Sequence, residues 1–366
     1  MESRRVVIIG AGPAGASLAY FLRGTTHEVA VHEGSPRLAA RACGWVTPSS
    51  LSQLVKIHEE AILTEIDEIK AYLDGKELVE LRFGAPFFLA VNKPLWLELL
   101  LEESGAELET GRRMHLYSLT SAEGQLIVIA AGSIGLLARA LRARVIRAVQ
   151  YLVEPTEGRA ANDAVEFWFD SQSAGYFWVF PRGGDRLSVG FGGVIDYETL
   201  WRRLEVFLAR RFGGRARIIG RGGGPIAATG LKMNLLEEGG LCAVGEAAGA
   251  SLPLTGEGIR PSVITSLALA RCLSGGRSYA EELEATGLPG VSKLHSAVLE
   301  ALLGMRPEAR AAVLRALPPE LMIELALGSA KGGPSLRARI VEALASSGLL
   351  RLGASLLSRI EKRHGQ

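Results

Sequence analysis

The chain has 366 residues with 41 basic against 39 acidic side chains, and a net charge of +2 gives no electrostatic case for nucleic acid as the main partner. Its length suffices for two or three domains with a large core. Cys43, Cys242 and Cys272 lie far apart with no CxxC pair, so neither a disulfide framework nor a metal site is expected and a reducing, cytoplasmic setting is.

The first strand begins almost at once, so no signal peptide is expected, and no apolar run approaches the roughly 18 residues of a membrane span. Val6–Ile9 predicts a buried strand. It is followed by Gly10-Ala11-Gly12-Pro13-Ala14-Gly15, a small-residue helix over Ala16–Ala19, and a second strand that ends at Glu33. A GxGxxG motif between strand and helix, with an acid closing the next strand, is the context of a dinucleotide site. Gly10 permits the tight turn, Gly12 lets a pyrophosphate approach the backbone, and Gly15 lets the helix pack on the sheet. The helix N–H groups, entered through Pro13 and Ala14, attract the phosphates. Glu33 would accept hydrogen bonds from an adenosine ribose and disfavours a 2′-phosphate, which leaves NAD and FAD open.

Beyond Glu33, Gly34-Ser35-Pro36-Arg37 is a loop, and Arg41-Ala42-Cys43-Gly44-Trp45 follows. Cys43 beside a glycine is either a small buried thiol or a group near a ligand. Residues 50–73 show helix-like apolar spacing through Leu51, Leu54, Val55, Ile57, Ile62, Ile66, Ile69 and Leu73, with Gly75 as a stop. Strands are expected over Glu77–Phe83 and Phe87–Val91. Asn92-Lys93-Pro94 then leads into a helix over Leu95–Ser104 ended by Gly105. Glu107–Arg113 reads as a short strand, and Leu126–Gly132 as a buried one whose small end allows backbone near a ligand or makes a tight loop.

From Val145 to Ile195 the pattern alternates, which predicts an antiparallel sheet. The sheet gathers Phe167, Trp168, Phe169, Tyr176, Phe177, Trp178 and Phe180 in a chain with 6% aromatic residues, as a sheet core or as the wall of an apolar cavity. A helix over Glu198–Phe212, a strand over Ala216–Gly220 and a breaker at Gly222-Gly223-Gly224-Pro225-Ile226 follow. Gly240–Gly249 predicts a buried strand stopping at Gly245-Glu246, and Gly256-Glu257-Gly258-Ile259 opens a helix to about Leu273. The last ninety or so residues are helical in pattern. Basic and apolar residues interleave over Leu336–Arg363, as in a helix on a membrane surface or a helical pair packed on the body.

A carboxylate at a second strand tip, Glu246, suits the ribityl hydroxyls of a flavin, and the helix after Gly258 would point its amides at the flavin or its phosphates. Two such tips bracketing an inserted sheet favour FAD. Together, GAGPAGASLAYFL, the Arg-Ala-Cys-Gly loop, Asn92-Lys93-Pro94, Tyr176-Phe177-Trp178-Val179-Phe180-Pro181 and VGEAAGASLPLTGEGI resemble the geranylgeranyl reductase family of FAD flavoproteins, which includes digeranylgeranylglycerophospholipid reductases and belongs to the p-hydroxybenzoate hydroxylase fold group. The resemblance covers Arg5 to about Cys272. It implies an α/β protein with an α+β insert: a Rossmann-like FAD-binding domain (1–57, 92–144, 222–280), an inserted antiparallel β-sheet substrate domain (58–91, 145–221) and a C-terminal helical region (281–366). It implies FAD contacts at Ala14, Gly15, Glu33, Cys43, Gly44, Glu246, Gly258 and Ile259, to which Gly10, Gly12, Pro13, Gly34, Lys93, Gly132 and Gly256 are added as candidates. Tyr176, Trp178 and Phe180 are candidate substrate contacts. The family usually carries Asp where Glu246 stands and Arg where Lys93 stands.

The implied reaction is hydrogenation of isolated C=C bonds in an isoprenoid lipid, with hydride from N5 of reduced FAD. Cys43, if beside the flavin, is a candidate to donate the proton or to gate the cavity, and NAD(P)H or ferredoxin is the external reductant. An unactivated alkene offers no carbonyl to polarise, so positioning and water exclusion carry the protein's share. A flavin monooxygenase or halogenase, and a non-catalytic flavin-containing lipid or quinone binder, are the alternatives. The expected location is cytoplasmic, with peripheral contact at the inner face of a membrane.

Overall fold

A computed structural model describes residues 3–114, 124–133, 144–156, 164–233, 237–238, 241–327, 339 and 342–343. One sheet has the strand order β15 (Glu237–Glu238), β16 (Leu241–Ala243), β9 (Gln125–Ile129), β1 (Arg5–Ile9), β2 (Glu28–Glu33) and β8 (Glu107–Thr110). β1 runs parallel to both β2 and β9, with Val7 beside Ala30 and Ile127. Central parallel strands are covered on both faces, which is why Val6–Ile9 is an unbroken apolar run and is buried throughout. The helix α1 (Pro13–Phe21) packs against this sheet, α2 (Lys93–Ser104) and α4 (Ile259–Leu273). Ala14 to Tyr20 are all buried, so only small residues on several sides of α1 allow three neighbours.

The larger sheet has the order β14 (Ala216–Ala227), β10 (Val145–Pro155), β13 (Leu187–Gly193), β12 (Gly175–Pro181), β11 (Ala164–Asp170), β5 (Glu68–Leu73) and β6 (Lys76–Arg82). All its pairings are antiparallel except β11 with β5. One face is covered by α3 (Tyr197–Phe212), whose Leu200, Leu204 and Phe212 pack on Val149, Tyr151, Phe177 and Phe191. Asp196 caps α3 by accepting the Thr199 N–H at 2.8 Å. The other face carries Phe167, Phe169, Tyr176, Trp178 and Phe180, which line a cavity. A third sheet joins β3 (Val46–Pro48), β7 (Phe88–Val91) and β4 (Ile62–Ile66). Helices α5 (Tyr279–Glu284), α6 (Leu288–Leu303), α7 (Pro307–Ala316) and α8 (Pro319–Leu327) follow. Leu336–Arg363 lies outside the described residues except for 339, 342 and 343.

Two expectations are corrected. Residues 50–73 are not a helix but 3-10 turns at Ser49–Gln53 and Glu59–Ala61 followed by β4 and β5. The isoleucine-rich run fits alternation as well as a helical period, and tertiary pairing decides such cases. What reads as a helix stop is a hairpin turn: Asp74 and Gly75 both have positive φ, 50° and 82°, as a type I′ turn requires. The second correction concerns Gly222–Ile226, which does not break β14 but continues it opposite Ile146–Gln150 of β10. β14 is an edge strand, where a proline is tolerated. A side chain is excluded there because a Cβ on Gly222 would lie 2.7 Å from that of Ala42. Smaller shifts are that α2 starts at Lys93, β8 ends at Thr110, β9 ends at Ile129, and the strand before Glu246 is only Leu241–Ala243 with a 3-10 turn over Gly245–Ala248.

Candidate functional site

The tips of β1, β2, β9 and β16 open into one cavity of about 1140 Å³. A pocket for a drug-sized ligand is roughly 300–1,000 Å³, so this space accommodates more than one such body. At its first end Gly10 has φ 109° and donates to the His32 carbonyl at 2.7 Å. A Cβ at Gly15 would lie 1.8 Å from the Gly10 carbonyl oxygen, whereas one at Gly12 would meet nothing within 4 Å. Gly15 is thus needed for packing, and Gly12 faces open space. α1 starts at Gly12 and Pro13 with no side-chain cap, so its first amides are available to an anion in the cavity that Gly12, Pro13 and Ala14 line. The Glu33 carboxylate accepts the Ala11 N–H at 2.9 Å and the Ser35 N–H at 2.8 Å. Each oxygen keeps a lone pair for a further donor. Gly34 lies against Arg113. These residues fit the ADP half of a dinucleotide.

Gly132, Glu246, Gly256, Gly258, Ile259 and Lys93 all line the same cavity. α4 begins at Gly258 and α2 at Asn92, each without a side-chain cap, so three helix N-termini converge on one space. Lys93 is buried at the start of α2. Glu246 accepts from the Ala227 N–H at 2.8 Å, the Ser133 N–H at 2.9 Å and Arg41 Nη1 at 3.2 Å. Its carboxylate therefore knits the end of β14 to the residues after β9. Three protein donors occupy the group that the sequence assigns to ribityl hydroxyls.

Cys43 is half-buried and on the cavity. A Cβ on its neighbour Gly44 would lie 2.9 Å from the Phe180 ring, so the turn presses on the aromatic wall. In that wall Phe167 meets Phe180 edge-on at 5.3 Å and Tyr176 at 5.8 Å. Trp178 lies over Gly190 of β13, where a Cβ would be 2.1 Å from the indole. The Tyr176 hydroxyl donates to the Thr255 carbonyl, and burial pushes its phenol well above the usual range. Glu257 holds Arg260 through two contacts of 3.0 and 2.9 Å, yet burial raises its carboxyl above the ordinary value. Val298, Leu302, Val313, Met322 and Ile323 from the C-terminal helices complete the apolar end.

The structure thus brings the glycine motif, the second strand tip, Cys43 and the aromatic strand to one cavity. Arg41, Gln150, Arg182 and Glu257 are missed by sequence reasoning. Arg182 and Cys43 are 139 residues apart, and only the fold makes them neighbours.

No protein-family model matches the chain. Over 222 residues it is 28% identical to digeranylgeranylglycerophospholipid reductase 2 of Methanopyrus kandleri, an alignment covering 51% of this chain and 54% of that protein. The chain thus spans about half the length of this curated relative. The crystal structure of a geranylgeranyl bacteriochlorophyll reductase-like protein from Thermoplasma acidophilum superposes with a TM-score of 0.74 at 18% identity, over 95% of this chain and 100% of the other. The flavin-dependent brominase Bmp2 superposes with a TM-score of 0.62 at 14% identity, over 99% of each chain. At these identities the structural likeness is one of fold. That fold is the one expected, of the FAD flavoproteins grouped with p-hydroxybenzoate hydroxylase.

Proposed function

We propose that this flavoprotein-fold chain is an FAD-dependent reductase that hydrogenates isolated C=C bonds of a geranylgeranyl-type isoprenoid lipid. The observation that carries the reading is one continuous cavity with a backbone-built nucleotide cradle at one end, an aromatic and aliphatic wall at the other, and Cys43-Gly44 at the junction. The half-length similarity to a protein named as a reductase of such a lipid supports the same reading.

When bound and reduced, FAD supplies the hydride. The chain's residues do the rest. Gly10, Gly12, Gly15 and Glu33 hold the ADP half, and the amides of α1 and α4 with Lys93 balance its negative charge. Phe167, Tyr176, Trp178 and Phe180 exclude water and fix an apolar chain by contact area, which is what an unpolarised alkene requires. Cys43, on the cavity between the two ends, carries a thiol proton for the second carbon. NAD(P)H or ferredoxin is the external donor, and contact with a membrane surface delivers the lipid.

Mass spectrometry of lipids bound to the protein, before and after chemical reduction of its flavin, tests the proposal. A gain of two hydrogens per double bond is expected. Unchanged lipid with fully reduced flavin, or oxygenated product, would overturn it.

A further inference from the structure

We infer that Arg182 is a positioning residue for Cys43, acting on the loop that carries the thiol. The inference rests on the reading of Cys43 as the proton donor and deepens it. Arg182 follows β12, and its Nη1 donates to the Cys43 carbonyl at 3.0 Å. The same guanidinium lies over the Trp45 ring, 3.4 Å from the centroid. Gln150 Nε2 donates to the same carbonyl at 3.3 Å. Gln150 Oε1 in turn accepts from Ser188 Oγ at 3.3 Å, and Ser188 Oγ accepts from Trp178 Nε1 at 3.1 Å. A chain of hydrogen bonds therefore runs from the cavity-wall indole to the Cys43 carbonyl, and Arg182 closes it from the other side.

The backbone shows what this clamp holds. Trp45 has φ 61°, a conformation that is a genuine outlier for a bulky side chain and persists only when its surroundings impose it. Stacking of Arg182 on the indole supplies that constraint. Between the two pinned residues stands Gly44, which has no side chain to define the turn and is pressed on Phe180. Without Arg182, one donor on the Cys43 carbonyl and the cation on Trp45 are lost together.

A role in packing alone is a poor account of this choice of residue. No carboxylate pairs with Arg182 among the described residues, and burial pulls its guanidinium down to about 10. A half-buried cation without an acid is less favourable than an apolar residue of similar volume filling the same space. What the guanidinium adds is a donor in a fixed plane and a flat face for the indole. Lysine offers a donor and a charge but neither the fixed plane nor the flat face.

The test uses FAD-loaded wild type, Arg182→Ala and Arg182→Lys. Each is assayed for kcat and KM in alkene reduction and for iodoacetamide modification of Cys43 relative to Cys272, by peptide mass spectrometry. Cys272 is half-buried in the same chain and serves as the internal reference. Arg182→Ala is expected to lower kcat by about tenfold to a hundredfold while KM for the lipid stays within about twofold. The Cys43-to-Cys272 modification ratio is expected to rise several-fold as the loop opens, with Arg182→Lys between the two. An unchanged ratio, or both thiols reacting faster alike, would overturn the inference. The ratio is read without an alkene, so a wild type that reduces no isoprenoid would sink the proposed function and still judge Arg182.

Discussion

The two ends of the cavity are built from different materials. The nucleotide end is made of backbone: Gly10, Gly12 and Gly15, the uncapped start of α1 and the amides that hold Glu33. The aromatic end is made of side chains contributed by β11, β12 and helices α6 to α8. A site made of backbone tolerates almost no added atom, whereas a site made of side chains changes by degrees. Perturbations of the first should be large even for one added carbon, and of the second graded by the area removed.

The largest effect is expected at Gly15. Its Cβ would overlap the Gly10 carbonyl, so Gly15→Val should cost about 3 kcal/mol or more and abolish flavin retention, as read by thermal unfolding and FAD stoichiometry. Gly12→Ala separates packing from binding, because nothing stands near its Cβ. It should change stability by about 1 kcal/mol or less while flavin affinity falls by about tenfold or more. Equal stability losses in the two variants would break the comparison.

His295, on α6, is fully buried. Burial, opposed by a backbone hydrogen bond with Leu325 and reinforced by Arg260, lowers its pKa from 6.5 to about 4. The unfolded chain therefore binds the extra proton between these values, so the stability contribution is present above pH 6.5 and is lost as pH falls towards 4. The magnitude is about 3 kcal/mol. His295→Leu should flatten the unfolding free energy across that window, and an unchanged pH slope would contradict the assignment.

Trp178→Leu should weaken lipid binding about tenfold, or about 1.4 kcal/mol, with FAD content intact. Loss of flavin in this variant would mean that the two ends are not separable. The smallest effect belongs to Asp196→Ala, which removes the cap of α3 on the far face of the sheet. It should cost about 1 kcal/mol in denaturant unfolding and leave both ligands bound as before.

The same contrast explains what was legible in the sequence. Gly10 to Gly15 and Glu33 are local, and each has a single physical reason to be what it is, so strand, turn and helix read directly. Phe167, Tyr176, Trp178 and Phe180 alternate along their strands and share one face, as the period of two requires. The 50–73 segment reads as a helix because its apolar spacing suits either element, and pairing with β6, β7 and β11 decides for strands. Gly222–Ile226 looked like a breaker because its glycines answer to Ala42 and to β10, which lie far off in the chain. Arg182 and Gln150 carry no local signal at all, since their purpose lies at the Cys43 carbonyl.

The proposed reductase requires one cavity to hold reduced flavin against an isoprenoid chain. Anaerobic mixing of the reduced FAD-loaded protein with a geranylgeranyl lipid, following oxidised-flavin absorbance and lipid mass together, tests it most directly. The absorbance is expected to return as the lipid gains two hydrogens per flavin turnover. Flavin that stays reduced until oxygen is admitted, with the lipid unchanged or hydroxylated, would contradict it.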